Sequence, residues 1–233
     1  MLAGCAGDSA EVLEILRNQA PLADCSLSPT GAGTTLREGT FDLAIGDRAA
    51  YVLTPEVANT GSEEVVVTGA RVRVIGDDGV FVVFNCTDPE GCGEWELEVR
   101  GDRVLPPGVT RTFEVDAMPR VATSWYQGQM DADVREGRAP QRFDLTLQVE
   151  LLGRSDGEQI VGPPFLYPLR LCLGCLVEFP EGTDSPALPG PDCCGPGRPV
   201  ASCYSGQDDP IDCRACIGTL PEVCNWGRTS CRF

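Results

Sequence analysis

Cysteine is the residue through which this chain has the most chemistry to offer. Thirteen cysteines stand among 233 residues that include no histidine, and all eighteen basic residues are arginine. Two pairs have metal-ligand spacing: Cys172-Leu173-Gly174-Cys175 and Cys213-Arg214-Ala215-Cys216. Four thiolates from two such knuckles form a closed tetrahedral zinc site. Thirty-seven residues separate the pairs, however, which exceeds the usual ribbon spacing. The five other tail cysteines, Cys193, Cys194, Cys203, Cys224 and Cys231, would also need a separate account. Disulfides are therefore expected rather than a metal, and no cofactor is implied. A thioredoxin-like redox role is weaker than either, because neither C-x-x-C opens a helix after a strand in a βαβ unit. Adjacent Cys193 and Cys194 should hold different partners, since a vicinal bridge is strained. Cys86 and Cys92 bracket a five-residue turn and are expected to pair with each other.

Catalysis finds little to work with. Histidine and lysine are common general bases and activators, so their absence removes Ser-His-Asp, Cys-His and Ser-Lys arrangements together. Carboxylates remain. Glu94, Glu96 and Glu98 alternate with Trp95, Leu97 and Val99, which on a strand puts the three acids on one face. Calcium chelation or acid-pair chemistry is conceivable there, but a solvated acidic face over an apolar one is preferred. Asp131-Ala132-Asp133 lacks the rest of an EF-hand loop. No catalytic residue is assigned, and the chain is read as a non-enzyme. Trp125 and Tyr126, among the amides of Ser124–Met130, read as a loop that could touch a sugar or peptide. The blander reading has Trp125 plugging the end of a core. A net charge of −17 repels phosphate backbones, so a nucleic-acid partner is not expected.

The elements that would position these residues are mostly strands. From Gly39 to Leu171, short β-rich runs recur: Thr40–Ile45, Ala50–Ala58, Glu64–Thr68, Ala70–Ile75, Val80–Phe84, Trp95–Arg100, Thr110–Val115, Arg142–Leu151 and Phe165–Leu169. Such spacing argues for an antiparallel sandwich. Gly76-Asp77-Asp78-Gly79 suits a tight hairpin turn, and Arg71 and Arg73 alternate with Val72 and Val74 to give a wet and a dry face. Ahead of this region, Asp8-Ser9-Ala10-Glu11 reads as a cap and Val12, Leu13, Ile15 and Leu16 as the stripe of a short helix packed on the main domain. The tail from Cys172 onward holds nine cysteines and few apolar runs, so covalent crosslinks must constrain it.

Two resemblances can be placed on residues. Val57-Ala58-Asn59-Thr60-Gly61-Ser62, Val65–Val72 and Leu105-Pro106-Pro107-Gly108-Val109 through Phe113 resemble landmarks of immunoglobulin-like sandwiches of the ASPM-SPD-2-Hydin and major-sperm-protein-like type. That resemblance implies partner binding or spacing and carries no catalytic residues. Leu2-Ala3-Gly4-Cys5 resembles the lipobox of bacterial lipoproteins. It implies lipid attachment at Cys5, an upstream signal segment longer than four residues, and, by Ala6 rather than aspartate after the cysteine, outer-membrane placement. With Cys5 acylated, twelve cysteines remain, an even number that can pair completely: Cys25, Cys86, Cys92, Cys172, Cys175, Cys193, Cys194, Cys203, Cys213, Cys216, Cys224 and Cys231. If Cys86 and Cys92 pair together, Cys25 is left to bridge to the tail.

Three regions are thus expected: 1–38 with the lipobox, short helix and linker; 39–171 as the immunoglobulin-like β-sandwich; and 172–233 as a disulfide-stapled module. The chain reads as a non-catalytic, lipid-anchored protein of the bacterial cell envelope. Its role would be structural or partner-binding, with the membrane and an envelope protein or polysaccharide as partners. The competing readings are an intracellular zinc module using the two C-x-x-C pairs and a carboxylate-dependent hydrolase.

Overall fold

A computed structural model describes residues 12–22, 26–27, 33–45, 50–82, 93–118, 120–178, 207–209 and 211–212. Cys5, Cys25, Cys86, Cys92 and all tail cysteines after Cys175 lie outside the described residues, as does the Asp8–Glu11 cap. The fold is mainly β. In chain order its elements are β1 (Leu13–Gln19), β2 (Thr35–Leu36), β3 (Gly39–Asp42), a 3-10 turn over Leu43–Ile45, β4 (Tyr51–Leu53), β5 (Pro55–Asn59) and β6 (Val65–Ile75). There follow β7 (Glu94–Leu97), β8 (Val99–Arg100), β9 (Val104–Leu105), β10 (Thr110–Thr112), β11 (Glu114–Met118) and the helix α1 (Arg120–Arg135). The last elements are β12 (Phe143–Ser155), β13 (Glu158–Val161), β14 (Phe165–Cys172), β15 (Val177–Glu178) and β16 (Ile211–Asp212).

The largest sheet has the order β3-β14-β12-β6-β7, with β13 and β9 joined at its margins. Its spine is the antiparallel pair β6 and β12, in register from Thr146↔Ile75 to Arg154↔Val66 around a bulge at Leu152/Gly153. Val65, Val67, Val72 and Val74 turn inward from β6, as do Leu145, Leu147, Val149 and Leu151 from β12, and all are buried. Complete burial of each such side chain contributes about 1.5–3 kcal/mol. A four-stranded sheet (β10-β5-β1-β2) and a three-stranded one (β4-β11-β8) add their inner faces to the same core cluster, where Leu13, Val57, Leu53, Val115 and Val99 meet the large sheet.

Several expected elements change type or extent. Val12, Leu13, Ile15 and Leu16 do not form a helical stripe: β1 pairs antiparallel with β5 and β2, burying Leu13 and Ile15 while Glu14 and Leu16 face solvent. The segment alternates with period two as well as it matches a helical stripe, and sheet partners supplied from residues 35–36 and 55–59 decide between them. Glu64–Thr68 and Ala70–Ile75 merge into one strand through Gly69, where an added Cβ would come within 2.8 Å of the Leu97 carbonyl oxygen. Trp95–Arg100 and Thr110–Val115 are each split, at Glu98 and Phe113, between two sheets. The expected Val80–Phe84 strand is reduced, among the described residues, to a bridge between Phe81 and Ile75. The expected boundary after Leu171 falls inside β14.

The segment around Trp125 is helix α1, not a loop. Ala122, Tyr126, Met130 and Asp133 share its buried face. Its C-terminus closes as a Schellman motif: Gly137 sits at φ 72°, its N–H donates to Val134 O, and Arg138 N–H donates to Asp133 O. The Asp133 carboxylate accepts from the Arg138 guanidinium and from Gln141 N–H, so Asp133 serves as a clamp on the helix end. Beside Arg138, its carboxyl is held below the usual range.

Turn chemistry agrees with expectation. Gly79, at φ 76°, donates its N–H to Gly76 O, and Gly76 N–H donates to Val80 O, closing the hairpin. Gly108, at φ 68°, occupies the third position of the Pro106–Val109 turn, as a type II turn requires. Asn59 ties this turn to the next. Its backbone bonds Val109 and Gly108, its Oδ1 accepts from Gly61 N–H, and its Nδ2 donates to Glu63 O and Leu105 O. Because Asn59 is buried, Asn59→Ala strands these backbone groups and is expected to cost about 2–3 kcal/mol. Urea unfolding measures this, and a loss under about 0.5 kcal/mol would contradict the role.

Candidate functional site

The described chemistry converges on β3. One edge of β3 pairs in parallel with β14, setting Asp42 beside Cys172 and Phe41 beside Leu171. The other edge receives the tail: Phe41 bridges Gln207, Asp208 N–H donates to Thr40 O, and Thr40 N–H donates to Asp208 Oδ1 at 2.5 Å. Both edges of a four-residue strand are thereby filled.

Beyond the end of β14 the chain turns through Leu173 and Gly174, the latter at φ 76°, and Cys172 and Cys175 are joined in a disulfide with Cα atoms 5.9 Å apart. Asp42, wholly buried, organises this turn. Its Oδ1 accepts from Ala44 N–H at 2.9 Å and Gly174 N–H at 2.7 Å, and its Oδ2 accepts from Leu176 N–H at 2.7 Å. The carboxylate thus takes up three backbone donors that the turn would otherwise leave without strand partners. Cys172 is buried and Cys175 exposed. The carboxylate oxygen of Asp42 and the two sulfurs lie within 4.8 Å of one another.

Tail residues Gln207 and Asp208 form the second half of the corner. Gln207 exchanges side-chain hydrogen bonds with both backbone groups of Val52, accepting from its N–H at 2.8 Å and donating to its carbonyl. Asp208 Oδ2 accepts from the Tyr51 hydroxyl at 2.6 Å, which also lies 3.1 Å from the Tyr167 hydroxyl. Gly39 leaves room for this phenol, since a Cβ there would run into the Tyr51 hydroxyl. Burial raises Asp208 above the ordinary carboxylate range, against the lowering effect of its bonds from Tyr51 and Thr40. Burial, then the Asp208 charge, raises the Tyr51 phenol far above its normal value, and Tyr167 is pushed up to about 12, chiefly by burial.

The acidic strand face is a charge ladder. Arg71 pairs with Glu94, Glu96 and Glu150 at 3.0, 3.1 and 3.5 Å, and Arg73 bridges Glu94 and Glu150 while lying 5.7 Å over the Phe81 ring. Trp95 and Leu97 pack against the core on the opposite face, as expected. Glu96 and Glu98 also line an open cleft of about 320 Å³ with Thr68, Leu152, Arg154 and Gln159. Glu96 is already committed to Arg71 there. A second depression beside β3 and β14, lined by Glu38, Thr40 and Arg170, measures about 60 Å³ and is too small for an organic ligand.

Of the two aromatic candidates, Tyr126 is the core plug at 2% exposure, its ring tilted against Phe143 at 4.8 Å, whereas Trp125 is 39% exposed and meets Tyr126 edge-on. Trp125 therefore does not plug the core as the blander reading had it, and Tyr126 is not available as a ligand contact, because the helix turns Tyr126 inward on the face of Ala122 and Met130 and leaves Trp125 at the surface. Sequence reasoning missed Asp42, Tyr51, Tyr167, Gln207 and Asp208 altogether. Asp42 carried one weak signal, a lone acid inside an apolar strand.

No helix among the described residues is long and apolar enough to cross a membrane. No protein-family model matches the sequence, and no curated protein matches it. Among solved structures, a protein from Archaeoglobus fulgidus aligns at 16% identity and TM-score 0.30 over 51% of this chain and 80% of that one. A Northeast Structural Genomics Consortium target aligns at 12% identity and TM-score 0.29 over 55% of this chain and 74% of that one. Likeness at that level carries no argument about fold or function.

Two outcomes are expected. Asp208 has a higher pKa folded than unfolded, so the folded state binds more protons, and its contribution falls as pH rises from the ordinary carboxylate range through the raised value. The difference in urea midpoint between the wild type and Asp208→Asn should slope downward over that window; a flat difference would remove Asp208 from the role. Tyr126→Ala should destabilise by about 3–4 kcal/mol and Trp125→Ala by less than half of that, measured by the same unfolding. Equal losses would contradict the assignment.

Proposed function

We propose that this chain is a non-catalytic, lipid-anchored component of a bacterial cell envelope, with an immunoglobulin-like β-sandwich carrying a disulfide-stapled C-terminal module. Its work is structural or partner-binding, through an envelope protein or polysaccharide. The observation that carries the reading is the Cys172–Cys175 disulfide, built into the end of β14 and braced by Asp42. Disulfides persist in exported compartments and are rare in the cytosol. The disulfide also occupies half of the thiols that the intracellular zinc reading requires.

Further support comes from Leu2-Ala3-Gly4-Cys5, whose acylation would leave an even cysteine count. Largely antiparallel sheets sharing one core suit a sandwich. The exposed Arg71–Arg73 ladder and the cleft beside Glu98 offer a charged surface on which a polar partner would dock.

The test is intact mass and free-thiol titration, under denaturing conditions with a chelator, of protein expressed from the complete native gene in a bacterial host. Diacylglycerol mass on Cys5, no free thiols and a deficit of twelve hydrogens are expected from the thirteen cysteines. An unmodified Cys5 with many free thiols would overturn the envelope reading. Cys5→Ser should release the protein from membranes, and continued attachment would exclude the anchor.

A further inference from the structure

We propose that reduction of the Cys172–Cys175 disulfide creates a three-ligand site for a thiophilic divalent cation such as Zn²⁺, with Asp42 as the third ligand. The site is a redox-gated one. Closed as a disulfide it takes no metal; opened, it offers two thiolates and a carboxylate.

The donors are already assembled. A carboxylate oxygen of Asp42 and both sulfurs lie within 4.8 Å of one another. Tetrahedral binding at ~2.3 Å per Zn–S bond sets two sulfurs about 3.8 Å apart. Cα atoms separated by 5.9 Å allow that by side-chain rotation, with the Gly174 turn retained. Asp42 is held in place by its parallel register with Cys172 and by the N–H groups of Ala44, Gly174 and Leu176. Two carboxylate oxygens have about four lone-pair positions, so three accepted hydrogen bonds leave one for a metal.

Charge gives the site its demand for a cation. Reduction and ionisation would gather as many as three negative charges around the buried Asp42 and Cys172, and among the described residues no arginine forms an ion pair with Asp42. A divalent ion offsets most of that charge, and thiolates select soft or borderline metals over Mg²⁺ or Ca²⁺. Exposed Cys175 provides the entrance, and water completes the fourth position.

The chemistry balances with an external dithiol as reductant. One thiolate of the dithiol attacks the exposed Cys175 sulfur, and the bonding pair leaves on the Cys172 sulfur, which takes a proton. The second thiol of the reductant then displaces Cys175, so the dithiol leaves as a cyclic disulfide and the protein gains two thiols. Cation binding releases both protons, and a disulfide-forming oxidant reverses the process and expels the metal. This inference is independent of the lipid anchor and the compartment, neither of which enters its readout.

The test is thiol footprinting of the full chain. The protein is reduced with a phosphine and alkylated briefly with iodoacetamide, with and without Zn²⁺, and the peptide spanning Cys172 and Cys175 is quantified by mass spectrometry. Zn²⁺ should slow Cys175 alkylation by at least about tenfold, reversibly on chelation, and Asp42→Asn should lose most of that protection. Asp42→Glu, which keeps a carboxylate, should retain more of it than Asp42→Asn and serves if the asparagine variant fails to fold by near-ultraviolet circular dichroism. Equal alkylation of the wild type with and without Zn²⁺ overturns the site. Full protection in Asp42→Asn removes Asp42 as a ligand, and loss of the fold on reduction also overturns the proposal.

Discussion

Strand β3 is four residues long, and the chemistry at this end of the molecule depends on both of its edges being occupied. An isolated strand of that length cannot hold itself, and an open edge would leave backbone donors and acceptors without partners. Here β14 supplies one ladder in parallel register and residues 207–208 supply the other. Asp42 can therefore sit at full burial and aim its oxygens at the turn beyond β14, while Thr40 and Tyr51 meet the tail. The tail is thus attached to the β core by polar bonds as well as by whatever its cysteines do. Residues 207 and 208 follow residue 51 by more than 150 positions, so these contacts close a long loop and carry its closure entropy.

Buried polar groups at this corner are satisfied in a particular way. Among the described residues Asp42 is met by three N–H groups and no cation, whereas Asp208 is met by one N–H and one phenol. Both arrangements exchange water for fixed dipoles, and for Asp208 burial outweighs those bonds and raises the carboxyl. The contrast with the outer face of β6 and β7 is informative. There each glutamate is answered by Arg71 or Arg73, in a setting open enough that such pairs contribute modestly to stability and mainly set the register and sign of the surface. In a chain with eighteen arginines and thirty-five acids, placing Arg71 and Arg73 among Glu94, Glu96 and Glu150 concentrates scarce positive charge where carboxylates crowd.

Much of the β organisation was legible from residues alone. Alternation in Ala70–Ile75 announced a wet and a dry face, and Gly76–Gly79 and Pro106–Gly108 announced turns, because period and turn chemistry are local properties. The reading went astray where local pattern is ambiguous or weak. Val12–Leu16 satisfies a helical and a strand period at once. Arg120–Arg135 carries serine, glutamines and a glycine that dilute its stripe, although Ala122, Tyr126 and Met130 fall four apart and Gly137 supplies a helix stop. Phe113 and Glu98 give no local sign that the chain changes sheets there.

What the sequence by itself determined is the chemical inventory. Arginine as the sole cation, no histidine, an acidic surface and thirteen cysteines limit the chemistry available. Alternation and turns then specify a mainly β chain. Only the tertiary structure decided which of these residues meet. Asp42 and Cys172 are 130 residues apart in sequence, and Tyr51 and Asp208 157, yet each pair lies within one corner. The physical reason is that strand pairing joins residues by register between distant segments. Local propensity contains no information about that register until closure of the sheets has brought the segments together.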